Sequence, residues 1–398
     1  MTFTIIIVFC SLILLAYLFD FTTSHTKIPS VILLLVLGWI VREVTFILDI
    51  EVPDLSTVLP VLGTIGLILI VLDSSLELEM NKSKLTCVRK SFLGALISMV
   101  VLAFFLALLF YILGHYSFKN SLINAIPFCV ISSAVAIPSV MNQSKFTKEF
   151  IVYESSFSDS LGILFFNFIA LNQVINLLTV GSFLLQILLM VIISIVATIG
   201  LSLLLSKIEH HIKFVPIIVL IILIYALSEL YHLPSLIFIL IFGLALGNHE
   251  KIKQKRWAER FHPEELDDEV KRFKELTTEA TFLVRSLFFI VFGFLIETSE
   301  LLNAETFYWA LGIVASVVLF RVVQLKISGL PLKPLLFVAP RGLITILLFL
   351  SIDSSLLLPF VSKSLVIQVI AISAIFMMVG LMFTENKKKN PVEPVSPE

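Results

Sequence analysis

The sequence predicts an all-α, polytopic membrane protein of about thirteen transmembrane helices, and three observations lead there. Hydrophobic residues make up 58% of the chain and charged ones 14%, with 35 phenylalanines and a mean hydropathy of +1.05, far from the balance of a soluble domain. Apolar runs close to the roughly 20 residues needed to cross a bilayer recur along nearly the whole chain. Lys and Arg gather in every second connection, as cytoplasmic loops require.

The first run, 3–20, has no basic leader and no small-residue cleavage site, so it reads as a retained span and not as a signal peptide. After it come 29–48, 57–77, 91–114, 120–143, 149–171, 181–206, 213–231 and 233–249, then 279–297, 304–325, 331–352 and 363–383. With the N-terminus outside, the inward connections carry Lys27, four basic residues in 78–90, two in 144–149, two in 206–213, eight in 249–279, three in 321–333 and Lys387 to Lys389. That is 23 of the 28, against Arg42, Lys119 and Lys363 on the outward side. The expected placement is therefore multi-pass in the plasma (inner) membrane, N-out and C-in, with a membrane transporter domain over residues 1–383.

The only long polar connection, HEKIKQKRWAERFHPEELDDEVKRFKEL within 249–279, reads as a solvated cytoplasmic linker with some amphipathic helix. The tail 384–398 is polar and Pro-rich and is expected to be disordered. Cys10, Cys87 and Cys129 form no close pair, which gives neither a disulfide framework nor a metal site. There is no nucleotide-binding loop and no soluble segment large enough to be an enzyme. No cofactor and no nucleic-acid partner are expected; the partners are the bilayer and small ions.

Function is signalled by charges inside the spans. Each costs about 2.5–3.5 kcal/mol at a helix centre and faces the bundle interior or a water-filled cavity. Asp73, Glu154, Asp159, Arg285 and Arg341 lie well inside, with Glu229 and Asp353 nearer outer ends. In ESSFSDS, Ser155 and Asp159 stand at i and i+4 on one helix face, whereas Glu154 points about 140° away from Asp159. The two carboxylates thus have different jobs. Glu154 needs an opposite charge, for which Arg341 in FVAPRGLITILLF is the candidate. Asp159 with Ser155 offers oxygen ligands suited to a small hard cation or a proton. Arg285 is a further charge inside a span, with a functional role and snorkelling as its two readings.

Helix breakers stand at mid-membrane in two spans, Pro138 in FCVISSAVAIPSVMNQ and Pro340 with Gly342 in LFVAPRGLIT. Non-helical backbone at that depth is tolerated where it lines a cavity or is buried in protein. Two interrupted spans seven apart are the pattern of an inverted-repeat transporter with its site at the repeat interface.

These residues resemble the monovalent cation:proton antiporter superfamily over nearly the whole membrane region. KIPSVILLLVLGWIV and GLILIVLDSSLELEM are similar to its second and third helices, ELYHLPSLIFILIFGLALGN to the pair that ends its scaffold, and FFIVFGFLIE to a later helix. ESSFSDS resembles the Glu-Ser-x-x-Asn-Asp pattern of NhaP-type sodium/proton exchangers. The resemblance implies the antiporter fold with two crossing broken helices, a homodimer, and a mobile core moving against a scaffold. It implies Asp159 as the ion- and proton-binding aspartate, Ser155 as a hydroxyl ligand, Asp73 as a contributor to the ion site, Ser158 as a further site position beside Asp159, Glu154–Arg341 as a structural pair, and Arg285 as a charge compensating the broken-helix ends.

Two departures bear on chemistry. Ser158 stands where exchangers of this kind carry Asn or a second Asp, which predicts electroneutral exchange of one proton per cation. Val135, Ala136 and Ile137 replace the Thr-Asp-Pro of the fifth-helix break, where backbone carbonyls join the site; SSAVAIPS is closer to Kef-type potassium/proton systems. The expected activity is alternating-access exchange of a monovalent cation, Na+ with K+ or Li+ as the alternatives, for H+. A Kef-like potassium efflux system, an intramembrane aspartyl protease using Asp73 and Asp159, and a non-transporting sensor are the competing readings.

Overall fold

The computed structural model describes residues 2–26, 28–50, 52, 54–78, 84–172, 176–207, 213–231, 233–249, 263–301 and 303–385. The expected disorder of the tail from 386 onward and the linker segment 250–262 lie outside these residues. The regular structure of the described residues is all helix: α1 Thr2–Thr26, α2 Ser30–Ile47, α3 Val58–Glu77, α4 Leu85–Gly114, α5 Phe118–Ala125, α6 Ser133–Ser139, α7 Lys145–Leu171, α8 Leu177–Lys207, α9 Phe214–Leu230, α10 Leu236–Gly247, α11 Pro263–Phe294, α12 Ala304–Ile327, α13 Leu343–Leu350 and α14 Lys363–Glu385, with a further single turn at Thr298–Leu301. Nine helical segments among the described residues are long and apolar enough to span a membrane, and α9 and α10 are shorter apolar helices. With α7 and the interrupted 331–350 stretch, every one of the thirteen expected spans holds helix.

Helix α11 begins within the polar linker and runs on into span ten, so the second half of the linker is an extension of a membrane helix. The helices form two packed groups. α2, α3, α8, α10 and α11 pack chiefly on one another, and α4, α5, α6, α7, α12 and α14 form the second group. Small residues allow the closest crossings. A side chain at Gly38 of α2 would strike the Ile290 carbonyl of α11, and one at Gly293 would strike the Leu35 carbonyl of α2. Such backbone approach matters in a bilayer, where helix association relies on packing because lipid tails are as apolar as the helices.

Two elements are interrupted, and they cross. A short 3-10 turn, Ile126–Phe128, follows α5, and the chain is non-helical from Val130 to Ser132 before α6 starts. The sequence placed this break at Val135 and Ala136; the structure puts both inside the first turns of α6, their N–H groups bonded to the Ser132 carbonyl at 3.3 and 2.9 Å. The break comes earlier because its N–H groups find tertiary partners. The Ile131 N–H donates to Ser158 Oγ at 2.9 Å, and the Ser132 N–H donates to the Pro340 carbonyl at 3.0 Å. The second interruption precedes α13 and ends at Gly342, where a Cβ would lie 2.7 Å from Ser132 Oγ and 2.8 Å from Val135 Cγ2. Glycine thus gives the second interruption room to pass Ser132 and the first turn of α6 without displacing these side chains.

Candidate functional site

The crossing sits against the middle of α7, whose buried face is polar: Glu154, Ser155, Ser156, Ser158, Asp159 and Ser160 are all buried. Asp159 is 1% exposed. Its Oδ2 accepts hydrogen bonds from the Ser133 hydroxyl and from the Ser133 N–H at 3.3 Å. Its Oδ1 has no hydrogen-bond partner among the described residues, nor do the buried hydroxyls of Ser132 and Ser156. Buried polar atoms are nearly always paired, so unpaired oxygens beside a break in two helices suit a desolvated cation or a proton.

The other predicted ligands are placed differently. Ser155, on the Asp159 face of α7, donates its hydroxyl back to the Ile151 carbonyl at 2.7 Å. Ser158 holds the broken stretch through Ile131. The hydroxyl that does reach Asp159 belongs to Ser133, a residue that sequence reasoning passed over although SSAVAIPS contains it. Asp73 accepts a hydrogen bond from Thr278 of α11 at 2.6 Å. Asp73 and Asp159 are thus held by different elements.

The expected Glu154–Arg341 pair is not what the structure contains. Glu154 is paired with Arg321 of α12, at 2.5 Å from Nη1 to Oε1 and 2.7 Å from Nη2 to Oε2. Gln324 donates to Glu154 Oε1 at 2.7 Å and accepts from Arg321 Nη1 at 2.9 Å. Arg321 Nε also donates to the Leu335 carbonyl at 3.1 Å. This forked, charge-assisted arrangement ties α7, α12 and the start of the second interruption together. Sequence reasoning missed Arg321 because it stands near the end of its span and counted as a loop charge.

Arg341, 1% exposed, has another task. Its Nε donates to the Phe128 carbonyl at 2.6 Å and its Nη1 to the Ala339 carbonyl at 2.9 Å, while its N–H donates to Ser373 of α14 at 3.1 Å. A cation therefore sits at the carbonyl end of the α5 segment, where the helix dipole favours positive charge. It satisfies acceptors that the breaks leave open, which explains a buried guanidinium facing carbonyls instead of a carboxylate. Arg285 pairs with Asp20 of α1 at 3.0 Å, and Asp20 also accepts from Ser30. It lies at the α1–α11 contact rather than at either break.

A cavity of about 290 Å³ lies toward the basic end of the molecule, lined by Glu77, Lys84, Lys148, Tyr153 and Lys274. Asp159 is buried beyond it, further along α7.

Two crossing interrupted helices around a buried aspartate agree with what the chain matches. The family model for the transmembrane sodium/hydrogen exchanger covers residues 10–385. The chain belongs to the sodium/hydrogen exchanger family. This exchanger is similar in fold to a structure of the sodium proton antiporter MjNhaP1 from Methanocaldococcus jannaschii at pH 8. The TM-score is 0.65 at 19% identity, over 97% of this chain and 99% of that one. An electron-microscopy map of MjNhaP1 gives a TM-score of 0.70 at 19% identity, covering 99% of this exchanger and all of the other chain. A search of curated proteins finds no match. The family and the fold make the exchanger a multi-pass monovalent cation/proton antiporter.

Proposed function

We propose that this antiporter exchanges Na+ for H+ at Asp159, one for one. Deprotonated Asp159 takes the cation through Oδ1, with the Ser132, Ser133 and Ser156 hydroxyls and the carbonyls of the 130–132 stretch as neighbours. Protonation releases it. A bare carboxylate is expensive to move through a low-dielectric interior, so only the cation-loaded and protonated forms cross, and that restriction couples the two fluxes. The observation that carries this reading is the Asp159 carboxylate, buried where two broken helices cross, with one oxygen clamped by Ser133 and the other unpaired. Ser158 supports electroneutrality: it places no second carboxylate beside Asp159 and spends its hydroxyl on the Ile131 N–H.

The protein sits N-out and C-in in the plasma membrane as a homodimer, needs no cofactor and performs no catalysis. The α4–α7, α12 and α14 group moves against the α2, α3, α8, α10 and α11 group. Collapse of an imposed pH gradient in proteoliposomes on addition of Na+, Li+ or K+ ranks the substrates, and insensitivity to an imposed voltage tests stoichiometry. Asp159→Asn is expected to abolish exchange in a protein that still folds; surviving exchange would remove Asp159 from the mechanism.

A further inference from the structure

Two cavities outside the Asp159 site share a wall. The larger, of about 630 Å³, lies between α3, α7, α9 and the end of α13, and its lining includes Thr64, Ile163, Asn167, Glu229 and Ser351. The smaller, of about 280 Å³, opens between α7, α8 and α9 and meets the first at Asn167 and Glu229. Both lie at the end of the helices opposite the basic loops. Among the described residues, Glu229 is the one charged side chain lining either cavity. Its Oε1 accepts from the Ser235 hydroxyl at 2.5 Å, which fixes the carboxylate at the α9–α10 turn. On α7 the larger cavity reaches Ile163, one helical turn or about 6 Å from Asp159 along the axis.

We infer that this joined cleft is the outer access path for the transported cation, and that Glu229 with Asn167 forms a recruiting site ahead of Asp159. The inference rests on Asp159 being the exchange site. A fixed carboxylate between low-dielectric walls focuses its field into the cleft. About 6 Å from a monovalent ion, in surroundings as polarisable as water, one unit charge changes the local ion concentration about threefold, upward for a cation and downward for an anion. Ser235 alone would make Glu229 a turn brace, a role independent of charge in the cleft.

The test places Asn167→Cys in the full-length protein in sealed right-side-out vesicles. It measures the rates of labelling by membrane-impermeant cationic and anionic methanethiosulfonates added outside. The parent chain, with Cys10, Cys87 and Cys129, supplies the background. Labelling from outside is expected to favour the cationic reagent. Glu229→Gln should lower the cation-to-anion rate ratio about tenfold, the product of two opposite threefold changes, while Ser235→Ala leaves it within about twofold. In transport, Glu229→Gln should raise the apparent KM for outer Na+ about threefold and leave the inner KM and kcat unchanged. An unchanged ratio, an equal fall with Ser235→Ala, equal KM changes on both faces, or no labelling from outside would overturn the inference. Labelling does not require transport, so failure of the Asp159 assignment, seen as exchange surviving Asp159→Asn, is a separate result.

Discussion

Replacing Glu154 by Gln, or Arg321 by Met, removes half of an ion pair whose members are 1% and 2% exposed and joined at 2.5 and 2.7 Å. The partner left behind is a charge with no route to water, and breaking such a pair costs about 3–5 kcal/mol. The double variant carries no stranded charge, so it should lose no more stability than either single one, a coupling of at least about 3 kcal/mol. An unfolding entropy of about 2 cal/mol/K per residue over 398 residues gives about 0.8 kcal/mol/K. Each single variant should therefore lower the unfolding midpoint in detergent by at least about 4 °C, and by more where helices persist in the unfolded state and less entropy is released. The assay is the thermal loss of the monodisperse peak for wild type, both single variants and the double, with exchange in proteoliposomes alongside. Additive midpoint shifts in the double variant would refute Arg321 as the partner of Glu154. Arg341→Met combined with Glu154→Gln is the control pair, and its effects should add.

Arg341→Met leaves the Phe128 and Ala339 carbonyls without donors. At about 1–3 kcal/mol per unsatisfied buried group, it should destabilise the protein and stop exchange, and Arg341→Lys should restore part of the stability by reaching one carbonyl; the same midpoint assay checks both. Gly342→Ala forces a Cβ onto Ser132 and Val135, so cation-driven collapse of a pH gradient should fall at least tenfold. Ser133→Ala removes the hydroxyl on Asp159 Oδ2. The loss of one such interaction, about 1 kcal/mol, should raise the apparent KM for Na+ about fivefold with a smaller change in kcat.

Most of the architecture was legible because it is written in local quantities. Hydropathy over a span's length predicts about thirteen spans without reference to any contact, and each of them holds helix, although the helices of spans four and ten begin well before the apolar run does. Pro340 and Gly342 likewise announced an interrupted element, since a missing donor and a missing Cβ act on their own backbone. ESSFSDS set Glu154 and Asp159 in separate surroundings because the angle between them is a property of one helix.

Partners were decided by tertiary structure. The sequence offered Glu154 an arginine inside a span, Arg341, whereas packing of α12 beside α7 brought Arg321 from the end of its span. A long guanidinium reaches whichever element lies beside it, and chain position does not record which one does. The first break was read at Val135 and Ala136, near the proline, yet it falls at 130–132, where N–H groups bond to Ser158 and Pro340 instead of to the preceding turn. Ser133 and Asp20 had no local signal at all: their importance lies in facing Asp159 and Arg285 across an interface. The sequence by itself determined the helices, their charges and the need for partners; the helix crossings alone determined which partners meet, because a hydrogen bond depends on distances that only packing sets.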